Sequence, residues 1–253
     1  MCETCGCAVN HHPHEHPHHG DDHDHHHDHG TAESAGGPHA LLAMNDRLAA
    51  GNRRHFREHG VTVVNIVSSP GSGKTALLER TIRTLAPELR VAAIVGDLAT
   101  DNDAARLRSA GAPAHQITTG SACHLDAHMI HHALDDIRLG DLDLLLIENV
   151  GNLVCPAAFD LGEDLFVVLL STTEGEDKPL KYPVIFLKAD AVVLNKTDLA
   201  ATVEFKRDIA MANIETAAPK AKVFTTSART GDGVEAWLDY LRRHVKAKRS
   251  LAG

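Results

Sequence analysis

The chain has 253 residues, of which 43% are hydrophobic, and a formal net charge of −9. This length allows one large domain with appendages, and the acidic balance gives no electrostatic reason to expect nucleic acid or an anionic membrane as a partner. No apolar run approaches the roughly 20 residues that cross a bilayer, and the first residues do not resemble a signal peptide. We therefore expect a cytoplasmic protein with no membrane partner.

Residues 1–39 predict a metal-binding tail that is disordered without metal. Between residues 11 and 29 the chain consists almost wholly of His, Asp, Gly, Pro and Glu, which cannot bury enough apolar surface to offset the entropy of ordering. A cloning tag is the alternative, but tags are usually one uninterrupted His run. Ahead of the tract, Cys2, Cys5 and Cys7 lie close to the α-amino group, a donor set that suits a planar Ni²⁺ or Cu²⁺ complex.

Residues 40–253 predict an α/β domain with a P-loop NTPase fold. A helical pattern begins at Ala40, and apolar runs then alternate with helical stretches, which indicates a mostly parallel sheet with helices on both faces. The predicted strands are 61–67, 91–95, 142–147, 165–170, 191–194 and 223–226. Predicted helices between and after them include 75–85, 103–109 and 234–245. Ligands of such sheets bind beyond the carboxyl ends of the strands.

A phosphate-binding loop directly follows the first predicted strand. Segment 68–75 reads Ser-Ser-Pro-Gly-Ser-Gly-Lys-Thr, which is the P-loop pattern with Ser68 where the first glycine usually stands. Backbone N–H groups and the helix N-terminus would hold phosphate oxygens, Lys74 would reach the β- and γ-phosphates, and Thr75 would bind Mg²⁺. A chance glycine-rich turn is the alternative. The candidate phosphate-binding residues are Gly71, Ser72, Gly73, Lys74, Thr75 and Ala76.

Guanine specificity is predicted by the segment Asn-Lys-Thr-Asp at 195–198, after another strand. The Asp198 carboxylate can accept hydrogen bonds from N1–H and the 2-amino group of guanine, two donors that adenine lacks. Lys196 would lie over the base while Asn195 joins loops together. Further along, Ser227, Ala228 and Arg229 resemble the loop that donates a backbone N–H to guanine O6. The nucleotides predicted are GTP and GDP.

Two acidic residues at strand ends are candidates for Mg²⁺ binding and catalysis beside Lys74. Asp97 ends the second predicted strand, where it can face Mg²⁺ or orient the attacking water. Glu148 follows the apolar run 142–147, at the place of a Walker B acid. A helix cap or a solvated loop acid is the alternative for each. No glutamine of the Ras type is evident, so we expect a GTPase with slow intrinsic turnover.

A second metal site is predicted from Cys123, His124 and Cys155, because both segments should emerge at the same edge of the sheet. Two thiolates and an imidazole suit Zn²⁺ or Ni²⁺ with room for a fourth ligand. Lone cysteines are, however, often buried as small apolar residues. His128 and His131 continue from His124 at helical spacing and are either further ligands or solvated helix residues.

These motifs together resemble the family of hydrogenase nickel-incorporation GTPases, HypB. The resemblance rests on a Cys-x-x-Cys-Gly-Cys start, the loop at 68–75, Cys-His-Leu-Asp-Ala from residue 123, Glu-Asn-Val-Gly-Asn-Leu-Val-Cys-Pro from 148 and Thr-Glu-Gly-Glu-Asp-Lys-Pro from 173. It spans nearly all of residues 40–246 and the first seven residues. Ser68 is usual in that family.

The resemblance implies a function as well as a P-loop GTPase fold. Members form a homodimer favoured by GTP and deliver Ni²⁺ to the large subunit of [NiFe]-hydrogenase with a HypA-type accessory protein. By this resemblance Cys123, His124 and Cys155 hold Ni²⁺ or Zn²⁺ where subunits meet, and the three N-terminal cysteines form a tight nickel site. Asp103 and Lys181 are charged positions that would contact the opposite subunit.

Three alternatives to a GTP-driven nickel metallochaperone remain. The urease nickel-insertion GTPases share the general plan, but their metal motif is Cys-Pro-His and they lack the cysteine-rich start. A nickel storage or detoxification protein would explain the tail and leave the motifs at 123–124, 155 and 195–198 without a role. A redox module based on Cys2 and Cys5 lacks a thioredoxin-like context.

Overall fold

The computed structural model describes residues 38–252, so the predictions for the N-terminal cysteines and the His tract lie outside the described residues. Within that range, none of the helices combines the length and the apolar character that crossing a membrane would require. The first helix, α1, is Pro38–Glu58 and begins two residues before the predicted start at Ala40.

Seven strands form one sheet in which every pairing is parallel. The strands are β1 Thr62–Ser68, β2 Val91–Asp97, β3 Ala114–Thr118, β4 Leu144–Gly151, β5 Leu165–Ser171, β6 Ala191–Asn195 and β7 Lys222–Thr225. Their order in the sheet is β3-β2-β4-β1-β5-β6-β7. The chain runs from β1 to β2 and on to β3 at one edge, returns to place β4 between β2 and β1, and continues on the other side of β1 through β5, β6 and β7. The predicted parallel α/β sheet is confirmed.

Two strands differ from the prediction in an informative way. β3 was not predicted, because it is a five-residue edge strand whose side chains are half-buried or exposed and include His115 and Gln116. β4 extends to Gly151, four residues beyond the predicted end at 147, so that Glu148 lies inside the strand rather than after it. The polar segment of β4 is nevertheless buried, because Glu148 is covered by the helix that begins at Lys74 on one face of the sheet and Asn149 by the segment around Leu125 on the other.

Helices cover both faces of the sheet. After α1 they are α2 Lys74–Leu85, α3 Asn102–Ser109, α4 Ala127–Ala133, α5 Lys178–Lys181, α6 Pro183–Lys188, α7 Arg207–Ala217 and α8 Val234–Ala252. One face packs against α2, α3 and α8 through Leu77, Leu107 and Trp237, and the other packs against α1, α4, α6 and α7 through residues such as Phe56 and Ile214. Successive strand residues alternate between the two cores, as the pleat of a strand requires.

The parallel arrangement brings the predicted motifs to one edge. β1 ends at the phosphate loop, β2 ends at Asp97, β4 ends with the segment that includes Glu148, and β6 ends at Asn195. Since all strands run in the same direction, these four segments meet at the carboxyl edge of the sheet, where the sequence analysis expected the ligand.

Candidate nucleotide and metal site

The phosphate loop has the backbone geometry that an anion site needs. Gly71 and Gly73 take positive φ angles of 75° and 100°, and α2 begins at Lys74 directly afterwards. A Cβ atom on Gly73 would stand 2.7 Å from the Asn195 side-chain nitrogen, so this position has no room for a side chain. The loop therefore turns sharply onto the positive end of a helix dipole, with Ala76 in the first helical turn.

The ammonium group of Lys74 is held inside the loop by Ser68. Lys74 Nζ donates to Ser68 Oγ at 2.9 Å, and Ser72 Oγ donates to the same oxygen at 2.5 Å. Burial lowers the pKa of Lys74, while Glu148 opposes this effect by attracting the charge. Ser68 thus provides a side-chain oxygen for Lys74, which a glycine at this position would lack.

Thr75 and Glu148 form a pair that fits a hard divalent cation. Thr75 Oγ1 donates to Glu148 Oε1 at 2.8 Å, and the other carboxylate oxygen, Oε2, is buried without a hydrogen-bond partner among the described residues. Burial raises the pKa of Glu148 to about 7, although Lys74 and Thr75 favour the ionised form. Oxygen ligands of this kind are what Mg²⁺ prefers, and a bound cation would satisfy the buried oxygen.

Asp97 lies at the same edge, but its carboxylate is engaged in its own loop. It accepts hydrogen bonds from Thr100 Oγ1 at 2.6 Å and from the Leu98 backbone N–H at 2.6 Å. The Thr100 hydrogen bond is the main reason that the pKa of Asp97 is lowered. The carboxylate is therefore ionised at neutral pH and caps the segment 97–100, so its role towards Mg²⁺ or water stays a prediction.

The four residues of the Asn-Lys-x-Asp segment converge on the phosphate loop and on the loop after β7. Asn195 Nδ2 donates to Ser72 O at 3.2 Å, and its Oδ1 accepts from the Ala228 backbone N–H at 3.0 Å. Lys196 Nζ donates to Gly71 O at 2.6 Å, and Asp198 Oδ1 accepts from Ser227 Oγ at 2.6 Å. The arrangement joins the two ends of the predicted nucleotide site.

Arg80, on α2, is a residue of this site that the sequence analysis did not identify. Its Nε donates to Ala228 O at 2.6 Å and its Nη2 donates to Arg229 O at 2.9 Å. The helix that begins at the phosphate loop therefore also holds the loop predicted to face guanine. No sequence motif signals this contact, because it joins residues about 150 positions apart.

The predicted metal ligands Cys123, His124 and Cys155 do come together. Their ligating atoms lie within 4.8 Å of one another, with 2.8 Å between the two Sγ atoms and 3.7 Å between Cys123 Sγ and His124 Nδ1. Cys155 is buried at the start of the 3₁₀ helix Cys155–Ala158, in the segment that follows β4. Two soft thiolates and an imidazole suit Ni²⁺ or Zn²⁺.

The surroundings of His124 orient its imidazole ring and favour the neutral form of the ring. Its ring stacks on Phe159, with 3.8 Å between the ring centroids. Burial lowers the pKa of His124, which favours the neutral imidazole that binds metal. The further candidates, His128 and His131, lie on α4 and are exposed. His128 Nε2 is 3.1 Å from Nε2 of His132, another exposed residue of this helix. A ligand role for His128 or His131 therefore stays a prediction.

Two asparagines that the sequence analysis did not single out hold the ligand loop. Asn149 Oδ1 accepts from the Leu125 backbone N–H at 3.1 Å, and Asn152 Nδ2 donates to Cys123 O at 3.3 Å. Both belong to the segment 148–156, quoted above only as part of the family resemblance. The charged positions expected to reach another subunit make ion pairs within this chain, Asp103 with Arg106 and Lys181 with Asp177.

Comparisons with known proteins show which family this chain belongs to. The family described as "CobW/HypB/UreG, nucleotide-binding domain" matches residues 62–225. A hydrogenase maturation factor HypB from Rhizobium leguminosarum bv. viciae is 54% identical over 213 residues, covering 82% of this chain and 71% of that protein. Crystal structures of two further HypB proteins superpose well.

The hydrogenase maturation factor HypB from Archaeoglobus fulgidus has a TM-score of 0.76 and 47% identity, covering 80% of this chain and 99% of that chain. HypB from Helicobacter pylori, solved in complex with nickel, has a TM-score of 0.77 and 40% identity, covering 81% and 96%.

Proposed function

Because the chain belongs to the HypB hydrogenase maturation factors of the CobW/HypB/UreG nucleotide-binding family, we propose that it is a GTP-hydrolysing nickel carrier. Its cargo metal would occupy Cys123, His124 and Cys155, and its GTPase cycle would control release. The observation that carries this proposal is the position of the triad at the carboxyl edge of the sheet, with Cys155 in the segment that continues from Glu148.

Nucleotide recognition follows from the contacts at the two ends of the site. Backbone N–H groups of the loop 71–76 and the Lys74 ammonium would bind phosphate oxygens. Asp198, already held at 2.6 Å by Ser227, would accept from the two donors on the Watson–Crick edge of guanine. ATP would leave that carboxylate without the two donors of the base, which costs a few kcal/mol and favours GTP over ATP.

Hydrolysis requires charge stabilisation rather than covalent chemistry from the protein. Thr75 and Glu148 would hold Mg²⁺, which neutralises charge developing on the β- and γ-phosphates. Lys74 would leave Ser68 for the same oxygens, and Asp97 would orient the attacking water once its loop is rearranged by nucleotide. Without a glutamine of the Ras type, intrinsic turnover is expected to be slow.

Metal release is proposed to depend on which nucleotide is bound. Cys155 lies seven residues after Glu148 on one continuous segment, so a rearrangement around the γ-phosphate can change the distance between the two thiolates. Coupling of this kind is reciprocal, so the factor by which GTP changes metal affinity is the factor by which metal changes GTP affinity.

Partners are proposed from the family alone. They are a second copy of the chain in a GTP-dependent homodimer, a HypA-type accessory protein and the large subunit of [NiFe]-hydrogenase. Zn²⁺ is proposed as a second metal for the triad because its ligand set suits both ions.

The proposal is tested by metal titrations of the full chain in which Cys2, Cys5 and Cys7 are replaced by serine. Only Cys123 and Cys155 then remain of the five cysteines, so thiolate-to-nickel charge-transfer absorbance reports on the triad and is insensitive to the histidines. Titrations with Ni²⁺ or Zn²⁺ are compared in the GDP form and with a non-hydrolysable GTP analogue, with Cys155→Ala as control. A band lost in the control, with affinity that depends on nucleotide, supports a gated carrier. Equal affinities in both forms would refute gating and favour a storage protein.

A further inference from the structure

Asn149 connects the nucleotide-binding strand to the loop that bears two metal ligands. It follows Glu148 on β4, and consecutive strand residues point to opposite faces of the sheet. Glu148 contacts Thr75 at the start of α2, whereas Asn149 contacts Leu125 on the side of α1 and α4. The two neighbours thus reach the nucleotide site and the metal loop from one short piece of backbone.

The hydrogen bond from Leu125 is buried and its geometry is fixed. Asn149 is 1% exposed, and its Oδ1 accepts from the backbone N–H of Leu125 at 3.1 Å and of Val150 at 2.9 Å. Its Nδ2 donates to Asn65 Oδ1 at 3.2 Å, which sets the orientation of the amide. A buried N–H that loses its acceptor costs about 1–3 kcal/mol, so Leu125 is held firmly to the strand.

Leu125 is also wedged against the end of β2. Its side chain is fully buried, and a Cβ atom on Gly96 would lie 2.8 Å from it, so a side chain at position 96 would displace Leu125. Gly96 precedes Asp97, the acidic residue at the end of β2. Leu125 therefore contacts the strand that bears Asp97, is hydrogen-bonded to the strand that bears Glu148, and follows His124 directly in the chain.

We propose that Asn149 is the positioning residue through which the nucleotide site sets the geometry of the Cys123–His124–Cys155 triad. Movement of the Glu148 backbone displaces the side-chain oxygen Oδ1 of Asn149, and the Leu125 N–H and the two preceding ligands follow it. The inference rests on the nucleotide-gated metal binding proposed above. It adds a second connection to the metal site, independent of the segment leading to Cys155.

The chain offers a matched control in Asn45, on α1. Its Oδ1 also accepts a buried backbone N–H close to the ligands, that of Ala127 at 2.9 Å, and the residue is 5% exposed. Asn45 comes from a helix with no predicted nucleotide-binding residue. Asn45→Ala and Asn149→Ala therefore remove the same kind of hydrogen bond, two residues apart, but only Asn149→Ala cuts the connection to β4.

The test uses the full chain with Cys2, Cys5 and Cys7 changed to serine. Ni²⁺ affinity is measured from the thiolate charge-transfer band with GDP and with the non-hydrolysable GTP analogue, and the ratio of the two affinities is compared. In the parent we expect a ratio of about tenfold, within the usual range of allosteric coupling. Asn149→Ala should bring it to within about twofold, while Asn45→Ala should keep it even if both affinities fall.

The other possible results of this affinity measurement each contradict a specific part of the proposal. A gated parent and an equally gated Asn149→Ala variant refute the role of Asn149 while the carrier function stands. If the affinity ratio approaches one in both Asn149→Ala and Asn45→Ala, loss of either hydrogen bond disorders the ligand loop in general, and this result also refutes a specific role of Asn149. A parent without any ratio refutes the gating itself.

One further measurement addresses an Asn149→Ala variant that does not fold. In the unsubstituted chain, the hydrogen exchange rate of the Leu125 amide should differ between the two nucleotide forms, and equal rates would contradict the proposal.

Discussion

Replacing Asp198 with asparagine tests the guanine assignment with almost no change in side-chain volume. The Asp198 side chain is 13% exposed, and its Oδ1 accepts from Ser227 Oγ at 2.6 Å. The guanidinium of Arg229 lies 3.7 Å from Oδ2 and leaves that side of the carboxylate partly accessible. An asparagine at 198 can still accept one hydrogen bond, but it presents an NH₂ group where a second acceptor is needed.

The expected loss follows from the two hydrogen bonds that guanine offers. Each hydrogen bond to a charged group contributes about 1.5–3 kcal/mol. The variant loses one of them and weakens the other, because its remaining acceptor is uncharged. A total of about 3–4 kcal/mol corresponds to a loss of roughly 150- to 1000-fold in GDP affinity. Xanthosine diphosphate should gain affinity, because its C2 carbonyl accepts from the new NH₂ group.

The assay is competitive displacement of a fluorescent GDP analogue by GDP, ADP and xanthosine diphosphate. Asp232→Asn is the matched control, since this exposed carboxylate lies in the loop after β7, which contacts Asp198 through Ser227, and its side chain accepts only from Thr230 among the described contacts. The control should bind GDP within about twofold of the unsubstituted chain. GDP affinity within threefold for Asp198→Asn would show that Asp198 does not contact the base.

Three further changes test other parts of the site and the fold. Gly73→Ala should lower GDP affinity at least about tenfold in the same displacement assay. The reason is that φ at this position is 100° and the new Cβ atom would stand 2.7 Å from the Asn195 side chain. Unchanged GDP affinity would contradict the loop geometry. Arg80→Met should weaken GDP binding by about threefold to tenfold by removing two donors to the guanine-facing loop, with little change in melting temperature. Asp143→Asn should lower the free energy of unfolding by about 1–3 kcal/mol in urea at pH 7, because Asp143 accepts three hydrogen bonds from Arg90. Burial opposes its ionised form, but Arg90 and Arg249 together outweigh burial and keep the pKa of Asp143 below its usual value, so this stabilisation is present above about pH 4 and declines as the pH falls further. A variant equally destabilised at pH 7 and at low pH would refute the assignment.

Contiguous motifs were predictable because their chemistry needs only local order. The phosphate loop is a strand, a tight turn and a helix in succession, and the segment 68–75 appears in that context. The triad required one additional step, the fact that parallel strands end at the same edge. That step brought Cys123 and Cys155 together correctly, and their ligating atoms lie within the 4.8 Å cluster with His124.

Contacts between distant segments could not be predicted from one sequence. Arg80 approaches the loop at 228–229 because α2 and α8 pack on the same face of the sheet, a relation that no local pattern expresses. β3 was missed because an edge strand with half-exposed polar residues lacks the apolar run by which buried strands are recognised. Asp97 was correctly placed at the end of β2, but its contact with Thr100 depends on the backbone of the following loop.

The opposite orientations of Glu148 and Asn149 are consequences of a single register. β4 pairs Glu148 with Ile66 of β1 and with Val95 of β2, and apolar residues of β4 alternate between the two cores before it. A shift of one residue would turn Asn149 towards Thr75 and Glu148 towards Leu125, and would also exchange every apolar side chain between the cores. The cost of that exchange keeps the register in place. Burial of apolar side chains earlier in β4 therefore determines which of these two polar residues faces the nucleotide site and which faces the metal loop.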